Sequence, residues 1–215
     1  MSRFLKRLID RVAAVVLLVL LSPVLLAIAV WILLDGGRPV LLAQERVGKD
    51  GRRFLMLKFR TMVPNALELA HELTDDPYGV VPDDPRITKP GRFLRRTSLD
   101  ELPQLLNVLA GQMSLVGPRP DLVAQAANYS ERDRGRLAVE PGITGWSQVN
   151  GREEITWPER IEQDLWYIDN WSLPLDLRII ALTFTQLRRD DEQPVEDEMN
   201  IERARARTRA ETNKR

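Results

Sequence analysis

VAAVVLLVLLSPVLLAIAVWILL occupies residues 12–34, a run of 23 residues in which only Ser22 and Pro23 are not apolar. A helix rises about 1.5 Å per residue, so a run of this length can cross the hydrocarbon core of a bilayer. It is too long for the apolar part of a secretory signal peptide, and LDGGRPV follows it in place of a small-residue cleavage site. The sequence therefore predicts a membrane anchor over residues 1–38.

Pro23 lies at the centre of this run and predicts a bend in the helix. Proline has no amide hydrogen to donate to the carbonyl of Val19, and its ring clashes with that carbonyl. Ser22 can donate to a carbonyl upstream and deepen the bend. Two arrangements remain open: a kinked helix that spans the bilayer, and a helix that turns here and re-emerges on the same face. The residues alone favour the spanning helix.

Charge and composition exclude several classes of protein. Lys and Arg total 31, as do Asp and Glu, and this zero net charge argues against a general nucleic-acid binder. The absence of cysteine and the single histidine, His71, exclude disulfide scaffolds, thiolate metal sites and multi-histidine metal sites. Basic residues outnumber acids before the apolar run, so the positive-inside rule places the N-terminus in the cytoplasm. These basic residues are Arg3, Lys6, Arg7 and Arg11.

The rest of the chain predicts a small α+β domain, mainly helical, over residues 39–187. Residues 39–47 and 54–59 resemble two strands, and Asp50-Gly51 between them is a strong signal for a hairpin turn. Apolar spacing and turn residues predict further helices and one long loop. The helices are predicted at 64–73, 99–109, 121–129, 158–168 and 175–187, and the loop at 74–90. In residues 188–215, 16 of 28 residues are charged, which predicts a solvated, partly disordered tail.

Two basic segments are candidates for binding phosphate. KFRTM (58–62) places Lys58 and Arg60 one residue apart at the end of a predicted strand, so both point the same way. SLVGPRP (114–120) holds Arg119 between two prolines, and a guanidinium presented rigidly suits phosphate recognition. The alternatives are an exposed strand end and a proline-rich surface turn.

Residues 92–104, RFLRRTSLDELPQ, place arginines directly before the adjacent carboxylates of Asp100 and Glu101. Cations and a helix N-terminus can hold phosphates beside a carboxylate pair that suits Mg²⁺. One acid can then bind the metal while the other attacks phosphorus. The alternative is purely structural, a capping box formed by Ser98 and Glu101.

A glycine-punctuated loop, PGITGWSQVNGR (141–152), contributes further hydrogen-bonding side chains, with Gln148 and Arg152 as candidate substrate-binding residues. The loop lacks the glycine spacing of a Walker motif or of a dinucleotide fingerprint.

Six segments in order resemble the bacterial sugar transferase family, the monotopic phosphoglycosyl transferases. The resemblance extends from the anchor to about residue 188, and its long central block ending in GPRP is highly specific. In length the chain resembles the minimal form, without a multi-spanning extension. The segments are QERVG (44–48), KFRTM (58–62), DPRIT (84–88), RFLRRTSLDELPQLLNVLAGQMSLVGPRP (92–120), PGITGWSQVNGR (141–152) and DLWYIDNWSLPLDLRII (164–180).

The resemblance implies a reaction at the cytoplasmic face of the bacterial inner membrane. Such enzymes transfer a sugar 1-phosphate from a UDP-sugar to polyprenol (undecaprenyl) phosphate, release UMP, and require Mg²⁺. The product starts the assembly of a lipid-linked glycan, as in exopolysaccharide, O-antigen or glycoprotein synthesis. No nucleic-acid partner is expected.

The resemblance also implies roles for individual residues. Asp100 matches the nucleophile that forms a covalent phospho-sugar enzyme, and Glu101 matches its acidic neighbour, associated with Mg²⁺. Ser22 and Pro23 match the break of a re-entrant membrane helix with both ends in the cytoplasm, which replaces the spanning helix favoured above. The basic positions assigned to phosphate binding are Lys58, Arg60, Arg95 and Arg119.

Two other functions compete with this interpretation. A membrane-bound nucleotide-sugar hydrolase would use the same acids and metal with water as acceptor, but a soluble substrate and water need no bilayer. A non-catalytic membrane scaffold would bind partners through the late helices or the charged tail, but it leaves the arginines beside the acid pair unexplained.

Truncation after residue 191 should leave turnover largely intact, because the deleted segment lacks the apolar content to pack against a domain. UMP release and protein level of the truncated and full-length chains give the comparison. A large loss of turnover at normal expression would show that the tail takes part in function.

Overall fold

The computed structural model describes residues 3–66, 69, 84–151 and 155–190, with side chains as far as residue 186. Seven α-helices and four strands follow one another in this part of the chain. They are α1 (Arg3–Gly36), β1 (Leu41–Val47), β2 (Arg53–Phe59), α2 (Lys89–Arg96), α3 (Gln104–Leu109), β3 (Ser114–Val116), α4 (Val123–Ala126), β4 (Gly142–Thr144), α5 (Trp146–Val149), α6 (Trp157–Asp169) and α7 (Leu173–Asp190). Short 3₁₀ turns lie at Lys49–Gly51, Leu99–Glu101 and Asp133–Ala138.

The β1–β2 hairpin has the register that its turn dictates. The strands are antiparallel, with Leu41 opposite Phe59 and Val47 opposite Arg53. In the turn, Asp50 and Gly51 have φ of 55° and 75°, left-handed values that Asp and Gly tolerate better than other residues. The predicted hairpin and its Asp-Gly turn are therefore confirmed, as is the mainly helical character of the chain.

A second sheet, β3 paired in parallel with β4, was not predicted. Each strand has three residues, too few for the alternation of polar and apolar residues to be visible in a sequence. Gly142 allows the two strands to approach, because a Cβ on this residue would lie 2.1 Å from the backbone nitrogen of Gly117. The pairing brings the segment after β4 beside the GPRP turn that follows β3.

Some helices differ from their predicted bounds for identifiable reasons. The predicted helix 99–109 is split, because Pro103 cannot donate a backbone hydrogen bond and α3 begins only after it. An unpredicted helix, α2, begins after Thr88, whose hydroxyl accepts from the amide of Gly91 at 3.0 Å. Predicted helix 121–129 is shortened to α4, while α6 and α7 cover their predicted ranges and α7 continues past 187 to Asp190. The predicted helix 64–73 and loop 74–90 lie largely outside the described residues.

Helix α1 is assigned as one continuous helix with Pro23 inside it. The hydroxyl of Ser22 donates to the carbonyl of Val19 at 2.8 Å, the local bond expected from the sequence. The helix is long and apolar enough to cross a membrane by length and composition. Only a narrow face is buried, and large apolar side chains such as Val19 and Leu20 are two-thirds exposed.

The N-terminal half of α1 is fixed to the domain by a buried polar cluster. Lys6 donates to Asp176 of α7 at 2.7 Å, and the hydroxyl of Tyr167 donates to the other oxygen of that carboxylate, also at 2.7 Å. Ser114 of β3 donates to Asp10 at 2.6 Å. Charges this well buried are stable only when paired, so these contacts specify one docking position for the helix.

The two halves of α1 pack against two different apolar cores of the domain. Ala14 lies in a core formed by the hairpin and α3, which also contains Met56 and Leu105. Beyond Pro23, Ile28 and Ile32 lie in a second core. That core also contains Phe59 of β2, Leu94 of α2 and partly buried Val40 and Leu99. Both halves of the helix therefore contact one domain.

We expect residues 4 and 52 to lie on the same side of the membrane. The chain has no cysteine, so Phe4→Cys and Arg52→Cys, both at exposed positions, each introduce a single reactive thiol. An impermeant thiol reagent should label neither variant in intact cells and both after lysis. Labelling of position 4 but not of position 52 without lysis would establish a spanning helix.

Candidate active site

The candidate site lies where β2, the Leu99–Glu101 turn and the GPRP turn after β3 meet. Asn107 of α3 fixes the first two relative to each other, because its side-chain amide bonds the backbone edge of β2. Its oxygen accepts from the amide of Leu57 at 3.0 Å, and its nitrogen donates to the carbonyl of Leu55 at 2.8 Å. Lys58 follows directly in β2 and therefore faces the acids that precede α3.

Glu101 is held by two cations. One of its carboxylate oxygens, Oε1, accepts from Lys58 Nζ at 2.9 Å and from Arg119 Nη2 at 2.9 Å. Burial alone would raise the pKa of Glu101, but the charges of Arg119 and Lys58 outweigh it and lower the pKa to about 2. Glu101 is therefore ionised at any pH at which the protein functions.

The neighbouring acid, Asp100, has a different environment. Its side chain is buried, and within the described part of the chain its carboxylate has no hydrogen-bond partner. Burial raises its pKa, with Glu101 adding to the effect and Lys58, Arg95 and Arg119 opposing it. The arrangement leaves the lone pairs of one carboxylate unoccupied beside several positive charges.

The capping alternative for Ser98 and Glu101 is wrong. Ser98 precedes the 3₁₀ turn with φ of 53°, and its side chain makes no capping hydrogen bond. The carboxylate of Glu101 is directed to Lys58 and Arg119 instead of to the backbone of Ser98. A left-handed non-glycine residue costs of order 1 kcal/mol, and such strain is commonest at functional sites.

Arg95, on α2, lies near enough to Asp100 for its charge to act on that carboxylate, and Thr61 orients its side chain. Its Nε donates to Thr61 Oγ1 at 2.9 Å. The helix can come this close to residue 61 because Gly91 has no side chain. A Cβ at that position would lie 2.0 Å from the carbonyl oxygen of Thr61, well inside contact distance.

Two further candidate residues, Arg60 and Gln148, donate to backbone carbonyls, and their assignment to substrate binding stays a prediction. Arg60 is buried and donates to the carbonyls of Arg38 at 3.0 Å and Gly37 at 2.9 Å. It therefore fixes the segment that directly follows the C-terminus of α1. Gln148 donates to the carbonyl of Ile143 at 3.2 Å, within its own loop. Arg152 lies outside the described residues.

Sequence reasoning missed a set of buried ion pairs beside the site. Arg86 makes a bidentate ion pair with Asp84, in which Nη2 lies 2.7 Å from Oδ2. Burial lowers the pKa of Arg95, and the negative charge of Asp84 opposes this effect. Arg136 bonds two aspartates, Asp121 and, at 2.6 Å, Asp164. The DPRIT motif contained a signal for the first pair, in an acid and a base two residues apart. Nothing local marks the second, whose members are far apart in the chain.

Within the described part of the chain, the acids available to a metal at this site are Asp100 and Glu101. Among the described residues no group of three or more His, Asp or Glu side chains lies together. Glu101 Oε1 is occupied by cations, which leaves Oε2 and the Asp100 carboxylate. Mg²⁺ commonly takes one or two carboxylates and completes its shell with substrate phosphates and water, so these residues fit that ion when a diphosphate is bound.

A small domain attached to a long apolar helix, with an acid pair among the positive charges of Lys58, Arg95 and Arg119, is an arrangement that suits phosphate-bearing substrates. The chain belongs to the bacterial sugar transferase family, which it matches over residues 1–190. The resemblance found in its motifs is thereby confirmed.

Relatives in other bacteria agree with this assignment. The chain is 47% identical to the uncharacterized sugar transferase EpsL of Bacillus subtilis, over 83% of this chain and 85% of that protein. It is 45% identical to a UDP-galactose-lipid carrier transferase of Erwinia amylovora, over 88% of this chain and 42% of that protein. A UDP-glucose:undecaprenyl-phosphate glucose-1-phosphate transferase of Escherichia coli is 45% identical, over 85% and 40%. The chain thus spans less than half of the two relatives named for a reaction.

Glu101→Gln should destabilise the protein at neutral pH, and the loss should shrink on acidification. The folded-state pKa of about 2 lies below the ordinary 4.5, so the ionised carboxylate stabilises the fold above pH 4.5, and this contribution disappears as pH falls toward 2. Thermal unfolding in detergent with a chelator, from pH 7 to pH 3, measures the difference between variant and wild type.

Glu162→Gln is the matched control, because it removes an exposed ion pair with Arg132. Such pairs contribute at most about 1 kcal/mol. A stability difference for Glu101→Gln that is the same at pH 7 and pH 3 would contradict the ion-pair geometry described here.

Proposed function

We propose that this protein transfers a sugar 1-phosphate from a UDP-sugar to polyprenol phosphate and releases UMP. The observation that carries the proposal is the buried Asp100 carboxylate, which no donor among the described residues occupies, beside a Glu101 neutralised by Lys58 and Arg119. Relatives named for UDP-glucose, UDP-galactose and undecaprenyl phosphate support this choice of donor and acceptor.

The first step is attack by an Asp100 oxygen on the phosphorus that bears the sugar. A bond forms between that oxygen and phosphorus, and the bond between this phosphorus and the bridging oxygen of the diphosphate breaks. UMP leaves with the bridging oxygen. Phosphoryl transfer depends more on positioning and charge neutralisation than on proton transfer, which suits a site built from an acid, a lysine and arginines.

The second step transfers the phospho-sugar to the lipid. A phosphate oxygen of polyprenol phosphate attacks the same phosphorus, the bond to Asp100 breaks, and the carboxylate is regenerated. The product is a polyprenyl diphosphate sugar, the starting point of a lipid-linked glycan. The charges of Arg95 and Arg119 both act on Asp100, and these arginines can hold the phosphate groups of the substrates.

Glu101 and the bound diphosphate would hold Mg²⁺, which supplies charge neutralisation at the leaving phosphate. In this chain Lys58 and Arg119 keep Glu101 ionised and fix its Oε1, so its other oxygen has a defined direction. The two cations thus orient the carboxylate that would hold the metal. Removal of divalent ions should therefore abolish UMP release.

The location that suits this reaction is the cytoplasmic face of the bacterial inner membrane. Polyprenol phosphate keeps its tail in the bilayer, so its phosphate lies at the interface. A re-entrant α1, whose two halves contact one domain and whose outer face is apolar, would hold the site at that depth. A soluble enzyme would have to extract a very apolar acceptor from lipid.

The proposal is tested by incubating the purified protein with a panel of labelled UDP-sugars and Mg²⁺, with and without polyprenol phosphate. Without acceptor, wild type should release UMP in proportion to enzyme and gain the mass of one phospho-sugar on Asp100. With acceptor, turnover should become catalytic. Asp100→Asn should fold normally, because it preserves size, and should lose both the adduct and turnover.

Each rival predicts a different result in the same assay. A hydrolase would release free sugar phosphate catalytically without lipid, and a scaffold would release no UMP at all. An Asp100→Asn protein that turns over at the wild-type rate would disprove the covalent step.

A further inference from the structure

We propose that Arg46 and Arg136 are positioning residues that act on Arg119 through its own backbone. Together they clamp the Pro118–Asp121 turn, so that the Arg119 guanidinium meets Glu101. This inference rests on the proposed function, since Arg119 and Glu101 are assigned to the site of phosphoryl transfer.

The turn that presents Arg119 is poor in backbone donors. Pro118 and Pro120 have no amide hydrogen, so the turn must be fixed largely through its carbonyl groups. All four consecutive carbonyl oxygens, of residues 118 to 121, accept a hydrogen bond from elsewhere in the protein. The donors are Gly142 N at 2.9 Å, Arg136 Nη2 at 3.3 Å, Arg46 Nη1 at 3.2 Å and Val47 N at 3.0 Å, in that order.

Two of these donors are backbone groups, and two are guanidinium groups whose own positions are constrained. Arg136 is 3% exposed and bonds Asp121, Asp164 and the hydroxyl of Tyr129. Its guanidinium also lies over the ring of Trp157. Because the Arg136 guanidinium has this many partners, its position is fixed. Its hydrogen bond to the carbonyl of Arg119 therefore fixes that carbonyl as well.

Arg46 fixes the next carbonyl and links the turn to the hairpin. Its Nη2 donates to Gln44 Oε1 at 2.7 Å, which leaves Nη1 directed at Pro120. This explains why a glutamine and an arginine stand two residues apart in the QERVG segment, whose side chains the proposed chemistry does not otherwise use.

The hairpin thereby sets the spacing of both cations that hold Glu101. Arg46 and Val47 of β1 anchor the turn bearing Arg119, while Lys58 lies on β2 opposite Leu42 of β1. Because Lys58 and Arg119 contact the same carboxylate oxygen, their separation must be correct to a fraction of an ångström. Misplacement of a catalytic group by about 1 Å can cost of order 100-fold in rate.

Arg46→Met is the decisive variant, because it removes the donors to Pro120 and Gln44 while keeping most of the side-chain volume. Arg136 is unsuitable, since its removal would uncover Asp121 and Asp164. We expect kcat/KM for the UDP-sugar to fall about tenfold or more with little change in Tm. Arg46→Lys, which retains a donor, should recover part of the loss.

A double-mutant cycle shows whether Arg46 acts through Arg119. The loss caused by Arg46→Met should be much smaller in an Arg119→Lys background than in wild type. Arg53→Met is the matched control on the same hairpin, because Arg53 makes only an exposed contact with Glu45 at 3.8 Å. It should leave kcat/KM unchanged. Equal losses in both backgrounds, or none, would overturn the clamp.

Amide hydrogen exchange at Gly142, whose amide donates to the carbonyl of Pro118 in this turn, gives a readout that needs no activity. Arg46→Met should accelerate exchange at this amide, and Arg53→Met should not. Absence of UMP release by wild type would defeat the proposed function alone, and the exchange measurement would then decide the clamp. Unchanged exchange in Arg46→Met would overturn the clamp whatever the activity.

Discussion

The ion pairs of Glu101 with Lys58 and Arg119 join three segments that no regular secondary structure connects at this point. A strand supplies the lysine, a 3₁₀ turn the acid and a proline-flanked turn the arginine. A partly buried carboxylate of this kind would be costly without partners, and each cation would be repelled by the other without the acid. The geometry of the site therefore depends on all three segments reaching their places together.

The packing of α1 against the domain also depends on paired charges. In the sequence its basic residues match the positive-inside rule for membrane orientation. In the structure, Lys6 is buried and bonded to Asp176, and Arg7 Nη2 lies 2.8 Å from Glu140 Oε1. Beyond Pro23 the helix returns to the domain through Ile28, Ile32 and the carbonyls bonded by Arg60. What remains is an outer apolar face with no protein against it among the described residues. The helix thus packs as part of the same domain that carries the candidate site.

Local patterns predicted the parts of this protein that depend on local physics. The Asp50-Gly51 pair predicts the hairpin because it favours a left-handed turn, and regular apolar spacing predicts α7. Residues adjacent in sequence, Asp100 and Glu101, were identified as a pair. The clamp on Arg119 was not foreseen, because its donors come from residues 46, 47, 136 and 142, and no periodicity relates them. The bonds from Arg60 to the carbonyls of Gly37 and Arg38 were likewise not visible in the sequence, and its assignment to phosphate binding stays a prediction.

The different environments of two neighbouring acids follow from the turn that carries them. A 3₁₀ turn has about three residues per turn, so successive side chains leave it about 120° apart. Glu101 consequently reaches the cations of β2 and the GPRP turn, while Asp100 is directed elsewhere and is buried without a donor among the described residues. An α-helical turn begun at Ser98 would place the same side chains at a different angle. Pro103, which delays the start of α3, and Ser98, at φ of 53°, keep this segment tight. The backbone of this segment therefore explains why Glu101 is paired with two cations while the Asp100 carboxylate has no hydrogen-bond donor among the described residues.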